Sequence, residues 1–172
     1  LIYQVFHALP EMTGPAGQPV GAILGFIRDL MALIETKRPN YLFCAFDTAG
    51  GGRVRHELYE QYKANRAAMP EDLRPQIPNI QRLLSAMGIP ILQSENFEAD
   101  DVLATLARRT EQAGGACFLV TSDKDCRQLL SERVLLYNIR KDQIYNAQAL
   151  LNDWGIRPEQ VVDFQSLVGD AV

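Results

Sequence analysis

Apolar residues recur at helical spacing in several stretches and gather into short runs between them. Over residues 20–36, Ile23, Ile27, Leu30, Met31 and Ile34 fall on one side, which predicts an amphipathic helix broken by Pro39 and Asn40. Residues 41–46 then form an apolar run suited to a buried strand. A second helix is expected over 77–87, where Ile77, Ile80, Leu84 and Met87 are in register and Gly88 stops it. Residues 89–92 read as a second strand, 99–113 as a helix ended by Gly114, 116–121 as a third strand and 134–137 as a fourth. Pro158 is placed to open a last helix, closed by Gly169. Strands alternating with helices predict an α/β fold with a mostly parallel sheet.

One segment breaks this rhythm. Residues 48–76 carry neither a clean strand nor a strong apolar stripe. They open on a glycine triplet at 50–52 and contain Arg53, Arg55, His56, Lys63, Arg66 and Arg74. An excursion of that length between core elements is characteristically functional or disordered. Its stretch 55–66 is expected to be helical, with charge on most sides.

The acids fall in a pattern that the apolar runs make meaningful. Asp47 ends the first predicted strand, Glu98, Asp100 and Asp101 follow the second and open a helix, and Asp123 and Asp125 follow the third. In open α/β sheets the carboxyl ends of the strands border one crevice where ligands bind. An extended chain would point Asp123 and Asp125 the same way. The cluster at 98–101 can converge only where it straddles a loop and a helix N-terminus, whose dipole favours acids. Carboxylates brought together repel one another unless divalent cations neutralise them. Mg²⁺ and Mn²⁺ take oxygen ligands, and two such ions about 3.5–4 Å apart can drive phosphodiester hydrolysis. Singly, each acid has a plainer reading: Asp47 as a turn residue, Glu98, Asp100 and Asp101 as first-turn acids, Asp123 as a helix cap. The coincidence of three strand ends favours the metal site.

Composition modifies this only slightly. The 172 residues carry 17 Lys and Arg against 21 Asp and Glu, a net charge of −4, which argues against a generally basic nucleic-acid-binding surface. With these six acids and Asp170 committed to cations, the remaining fourteen are outnumbered by the bases, and a basic face around an acidic pocket becomes compatible with the total. Arg53, Arg55, Lys63 and Arg66 then have phosphates as natural partners, and the interleaved Tyr59 and Tyr62 can stack on an unpaired base. The alternative is a solvated face with local pairs to Glu57, Glu60 and Glu71. No run reaches the roughly 18 apolar residues of a membrane span. The start lacks signal-peptide features. Cys44, Cys117 and Cys126 have no zinc spacing and are expected as reduced packing residues in the cytoplasm.

The strings FDTAGGGRVRHELYEQYKANR, MGIPILQSENFEADDVLATLA, FLVTSDKDCRQLL and RPEQVVDFQSLVGD, in this order and spacing, resemble the 5′-nuclease domain of bacterial DNA polymerase I. They are similar also to stand-alone flap endonucleases and phage 5′-exonucleases, and the likeness covers essentially the whole chain. It implies a PIN-like three-layer α/β core over residues 1–172, with a helical arch at about 48–76. It further implies two divalent cations, Mg²⁺ or Mn²⁺, and hydrolysis of DNA at or near 5′ ends in replication and repair.

Carried over residue by residue, the resemblance implies Asp47, Glu98 and Asp100 at a first metal site with Asp101 close by, and Asp123, Asp125 and Asp170 at a second. Lys63 and Arg66 match arch residues that polarise the scissile phosphate. Arg55 matches a basic position near the arch entrance. Tyr3 and Phe6 fall in a first helix near where terminal nucleotides unpair. The family pattern also has an Asp ahead of Leu1 and a helix–hairpin–helix-type DNA-gripping region beyond Val172. The expectation is therefore the retained part of a longer protein, with a polymerase domain possible in the same natural chain and a monomeric state sufficient. Gln4 stands where polymerase-linked members usually carry Arg, and Cys126 where they carry an apolar residue. Two alternatives stay open: a DNA-binding module of the same fold with weakened catalysis, and a PIN-type ribonuclease.

Overall fold

A computed structural model describes residues 1–48, 52–63 and 68–169. The chain divides into two units, 1–99 and 100–172.

In the first unit, helix α1 (Ile2–Ala8) packs on α2 (Gly21–Lys37). The approach is close: a Cβ on Gly25 would lie 2.4 Å from Val5 Cγ1 and 2.5 Å from Leu9 Cδ1, so only glycine fits there. Phe26 and Leu30 of α2 meet Ile80 and Leu84 of α4 (Gln76–Ala86), with Ile89 completing the core. Fully burying each of these side chains is worth about 1.5–3 kcal/mol.

Helix α2 has no side-chain cap of its own at Val20. The buried Gln76 supplies one from 54 residues away. Its Oε1 accepts from the amides of Ala22 (2.8 Å) and Ile23 (3.2 Å), while its Nε2 donates to the carbonyl of Asp72 at 2.8 Å. One amide side chain thus satisfies orphan donors of a helix start and fixes α4 against α2.

Gly88 ends α4 as its sequence position implies. With φ +71 it lets the Ile89 amide reach back to the Leu84 carbonyl and the Gly88 amide to that of Ser85, a Schellman closure that seats Ile89 against Leu84 in the core. Strand β1 (Cys44–Ala45) pairs in parallel with β2 (Ile91–Leu92), in the register Cys44 to Ile91 and Ala45 to Leu92. Both strands are shorter than the apolar runs suggest. Pro90 has no amide to give a ladder, and Tyr41 is exposed.

The expected helix over 55–66 is confined, among the described residues, to α3 (Arg53–Leu58), with turns from 60 to 63. It buries no residue and Leu58 is 83% exposed, so no packing offsets the cost of extending a short helix.

In the second unit, α5 (Ala99–Gln112) leads through Gly114 to β3 (Cys117–Leu119), which pairs in parallel with β4 (Val134–Asn138). Two elements here lay outside the sequence expectations. Strand β5 (Gln143–Tyr145) runs antiparallel to β4, and α6 (Ala147–Trp154) follows, capped by Asn146 and closed at Gly155. Residues 158–160 form a 3₁₀ turn before α7 (Val161–Val168). Leu119, Cys126, Leu130, Val134, Leu136, Leu150 and Val161 make the core. The α/β class and the parallel pairings match the pattern, with one antiparallel addition. Among the described residues no helix is long and apolar enough to cross a membrane.

Gln76→Leu keeps the volume but strands two amides of α2, and the unfolding free energy should fall by about 1–3 kcal/mol in urea titration. Gln76→Glu, which retains the acceptor oxygens, should lose less.

Candidate active site

The candidate acids follow the strands along the chain. Thr48 Oγ1 donates to the Ser94 carbonyl at 2.9 Å, tying together the segments that leave β1 and β2. Asp47, just past β1, is exposed. Its Oδ1 accepts the amide of Ala99, the first residue of α5, at 2.7 Å. It thereby serves as a distant cap for that helix.

Glu98 differs from its neighbours in being buried. Lys63 Nζ donates to both of its carboxylate oxygens at 2.9 Å. Arg55 Nη1 and the Tyr62 hydroxyl (3.2 Å) donate to Oε2. The Tyr62 ring lies 5.2 Å from Lys63 Nζ and 5.8 Å from the Arg55 guanidinium carbon, with His56 edge-on at 5.7 Å. Gly52 closes the other side. At φ +82 and buried, it comes so near that a Cβ would lie 2.6 Å from Glu98 Oε1. Burial pushes the Glu98 carboxyl up, but Lys63, Arg55 and the Tyr62 hydroxyl outweigh it and hold the group below its ordinary value of 4.5.

The other expected cations behave differently. Arg53 makes an exposed pair with Glu57 at 3.0 Å, the local i,i+4 arrangement. Tyr59 is exposed, as is Tyr3 on α1, while Phe6 is half-buried with its ring edge-on to His7. Arg66 and Asp170 lie outside the described residues.

In the second unit, Asp100 and Asp101 occupy the first turn of α5. Asp123 is extended but the chain turns into a 3₁₀ helix from Lys124 on, so the extended run that would align Asp123 with Asp125 is not kept. Asp123 caps a 3₁₀ helix (Lys124–Leu129) by accepting the Asp125 amide at 2.9 Å, and Asp125 belongs to that helix. Asp125 Oδ1 also accepts from Gln165 Nε2 of α7 at 2.7 Å. Asp100, Asp123 and Asp125 converge electrostatically on Cys126, whose thiol is pushed up to about 12, first by burial and then by these three carboxylates. Acids from two separated segments therefore act on the Cys126 thiol. Even so, among the described residues no three His, Cys, Asp or Glu side chains are gathered closely enough to hold a metal ion.

Two contacts had no signal in the sequence. Gln165 meets Asp125 across 40 residues, and Tyr62, expected as a stacking platform, spends its hydroxyl on Glu98. The cysteines are free, with Cys44 pushed up to about 11 by burial, as packing residues would be.

Residues 1–155 match the family model of the 5′-3′ exonuclease N-terminal resolvase-like domain. The chain belongs to this 5′-3′ exonuclease family. It is 39% identical over 171 residues to a 5′-3′ exonuclease of Aquifex aeolicus, covering 99% of this chain and 59% of that protein. It is 40% identical over 170 residues to the thermostable DNA polymerase I of Thermus thermophilus, again covering 99% of this chain but 20% of the polymerase. The chain thus spans from about a fifth to three-fifths of the length of those relatives.

Among solved structures, a bacteriophage T5 D15 flap endonuclease variant, in a pseudo-enzyme–product complex with DNA and metal ions, superposes with a TM-score of 0.69. The identity is 19%, over 84% of this chain and 57% of that one. The catalytic core of Rad2 in complex with DNA substrate follows at a TM-score of 0.56 and 22% identity, over 98% of this chain and 52% of that one. These likenesses establish the shared fold.

The depressed Glu98 group makes the cluster acid-sensitive. A carboxyl whose folded pKa lies below its unfolded value contributes stability above the unfolded value and loses it as pH falls through the folded one. The unfolding free energy should therefore drop on acidification from about pH 5, and Glu98→Gln should flatten that part of the profile measured by denaturant titration.

Proposed function

We propose that this chain is the nuclease core of a 5′→3′ exonuclease or flap endonuclease, hydrolysing DNA phosphodiesters at or near 5′ ends with the help of divalent cations. The observation that carries the reading is the placement of Arg55 and Lys63 beside the acid-bearing strand ends of a chain in this family. Cations there give a polyanionic strand its hold, and acids there give a hydrolytic metal its ligands. The T5 D15 protein was crystallised with DNA and metal ions, and the Rad2 core with DNA substrate, which supports the same substrate class here.

In this reading residues 1–172 act as one catalytic core, with the arch over about 48–76. Asp47, Glu98, Asp100, Asp101, Asp123, Asp125 and Asp170 supply oxygen donors, the chemistry that Mg²⁺ or Mn²⁺ prefers. As they stand, the described acids do not form such a cage, because Glu98 is taken up by the arch cations and Asp123 by its cap. A divalent cation, when bound, lowers the pKa of its water and offsets charge on the leaving oxygen.

The chain's own residues bind and orient. Arg53 and Arg55 hold backbone phosphates. Lys63 and Arg66 place positive charge where negative charge grows on the scissile phosphate. Tyr3 and Phe6 offer aromatic faces to unpaired terminal nucleotides. Gln165 holds Asp125 by one oxygen and so orients the other. The protein acts in the bacterial cytoplasm in replication and repair, needs no second copy, and is compatible with a polymerase domain in the same natural chain.

Asp125→Ala should abolish cleavage of a 5′-flap DNA in Mg²⁺ while the denaturation midpoint stays close to wild type; undiminished cleavage removes the hydrolytic assignment. Lys63→Ala should slow single-turnover cleavage about 10²–10³-fold with a much smaller change in DNA affinity. A defect confined to affinity would make Lys63 a binding residue only. Flap DNA, duplex DNA and single-stranded RNA assayed side by side in Mn²⁺ separate this reading from a non-cutting DNA-binding module and from a ribonuclease.

A further inference from the structure

We propose that Arg55 and Lys63 compete with a divalent cation for Glu98, so that metal binding and release of the arch cations toward DNA are one coupled event. The inference rests on reading Glu98 as a metal ligand. It is carried by the mismatch between that reading and the contacts Glu98 makes.

A carboxylate offers about four lone-pair positions. Here Lys63 reaches both oxygens at 2.9 Å, and Arg55 and Tyr62 add two more donors on Oε2. The side chain is only 9% exposed, so little of it is left for another ligand. Two unit positive charges already neutralise, and exceed, its single negative one. A dication approaching the same oxygens would meet both charges within a few ångströms. Glu98 can serve either the arch or the ion.

The backbone is built for the first arrangement and stores a reason to leave it. Gly52 has the left-handed φ of +82 and the missing side chain that let the arch base lie against Glu98. Lys63 has a φ of +57, a conformation that residues with a Cβ adopt at a cost and keep only when tertiary contacts enforce it. Its ion pair with Glu98 and the Tyr62 ring beneath its ammonium are contacts of that kind. Removing Glu98 from Lys63 removes one of those contacts.

The cations released are the ones suited to phosphate, Arg55 as a fork and Lys63 as a point charge. Linkage then requires reciprocity: whatever draws Lys63 and Arg55 to phosphate strengthens ion binding at Glu98, and the ion in turn favours phosphate binding by the arch.

The test uses Mn²⁺ alone as the probe, on the whole chain without DNA, with affinity read by electron paramagnetic resonance of free Mn²⁺. Lys63→Ala and Arg55→Ala should each tighten binding roughly fivefold or more, and Glu98→Ala should weaken it. Unchanged or weaker binding in the two cation variants, with Glu98→Ala still impaired, overturns the competition and leaves the nuclease reading intact. No effect of Glu98→Ala overturns both the competition and the assignment of Glu98 as a ligand. On the unaltered protein, Mn²⁺ should speed tryptic cleavage after Arg55 and Lys63 as the arch leaves Glu98. Equal cleavage with and without Mn²⁺ also overturns the proposal.

Discussion

A carboxylate withdrawn from water has to be met by charge or by hydrogen bonds, and Glu98 is met by both. It stands immediately before α5, where β2 has ended and the helix begins. Around it gather Gly52, Arg55, Tyr62 and Lys63, all from the segment after β1. That segment buries nothing in its own helix and carries no apolar stripe, and its tertiary hydrogen bonds from Arg55, Tyr62 and Lys63 centre on this one acid. Asp47 reinforces the junction from the other strand by capping Ala99.

The second unit handles its acids differently. Asp100, Asp123 and Asp125 remain exposed, and their shared presence registers in the thiol of Cys126 buried beneath them. Asp123 is held by a cap and Asp125 by Gln165, so each has one oxygen committed to structure. Rigid support of this kind is what a metal ligand or a phosphate-facing acid needs if its position is to be reproducible. In the structure Asp123 therefore takes the plainer of its two readings, the cap of a 3₁₀ helix.

Much of the fold was legible because periodicity reports burial. The stripe Ile23, Ile27, Leu30 and Ile34 marks α2, and Gly88 and Gly114 mark the ends of α4 and α5 through the positive φ that only glycine adopts freely. Strand β5 and helix α6 escaped because their signals are weak locally. Gln143 and Ile144 are exposed, and α6 buries only Leu150, so neither shows a clean period. Of the helix expected over 55–66, the described residues keep only α3, which stops at Leu58: its charged residues have helical propensity, but α3 buries no side chain to hold a longer helix.

By itself, the sequence determined which chemistry is available and roughly where. Acids follow strands, cations fill the excursion after β1, glycines end helices, and the motif order marks the 5′-3′ exonuclease family. Tertiary structure alone decided which of these groups touch. Gln76 capping α2 from 54 residues away, Gln165 holding Asp125, and Lys63 with Arg55 closing on Glu98 are contacts between distant segments. The physical reason is that local pattern records whether a side chain faces water or core. The partner of a buried polar atom is set by which backbone segments the packing brings within about 3 Å of it.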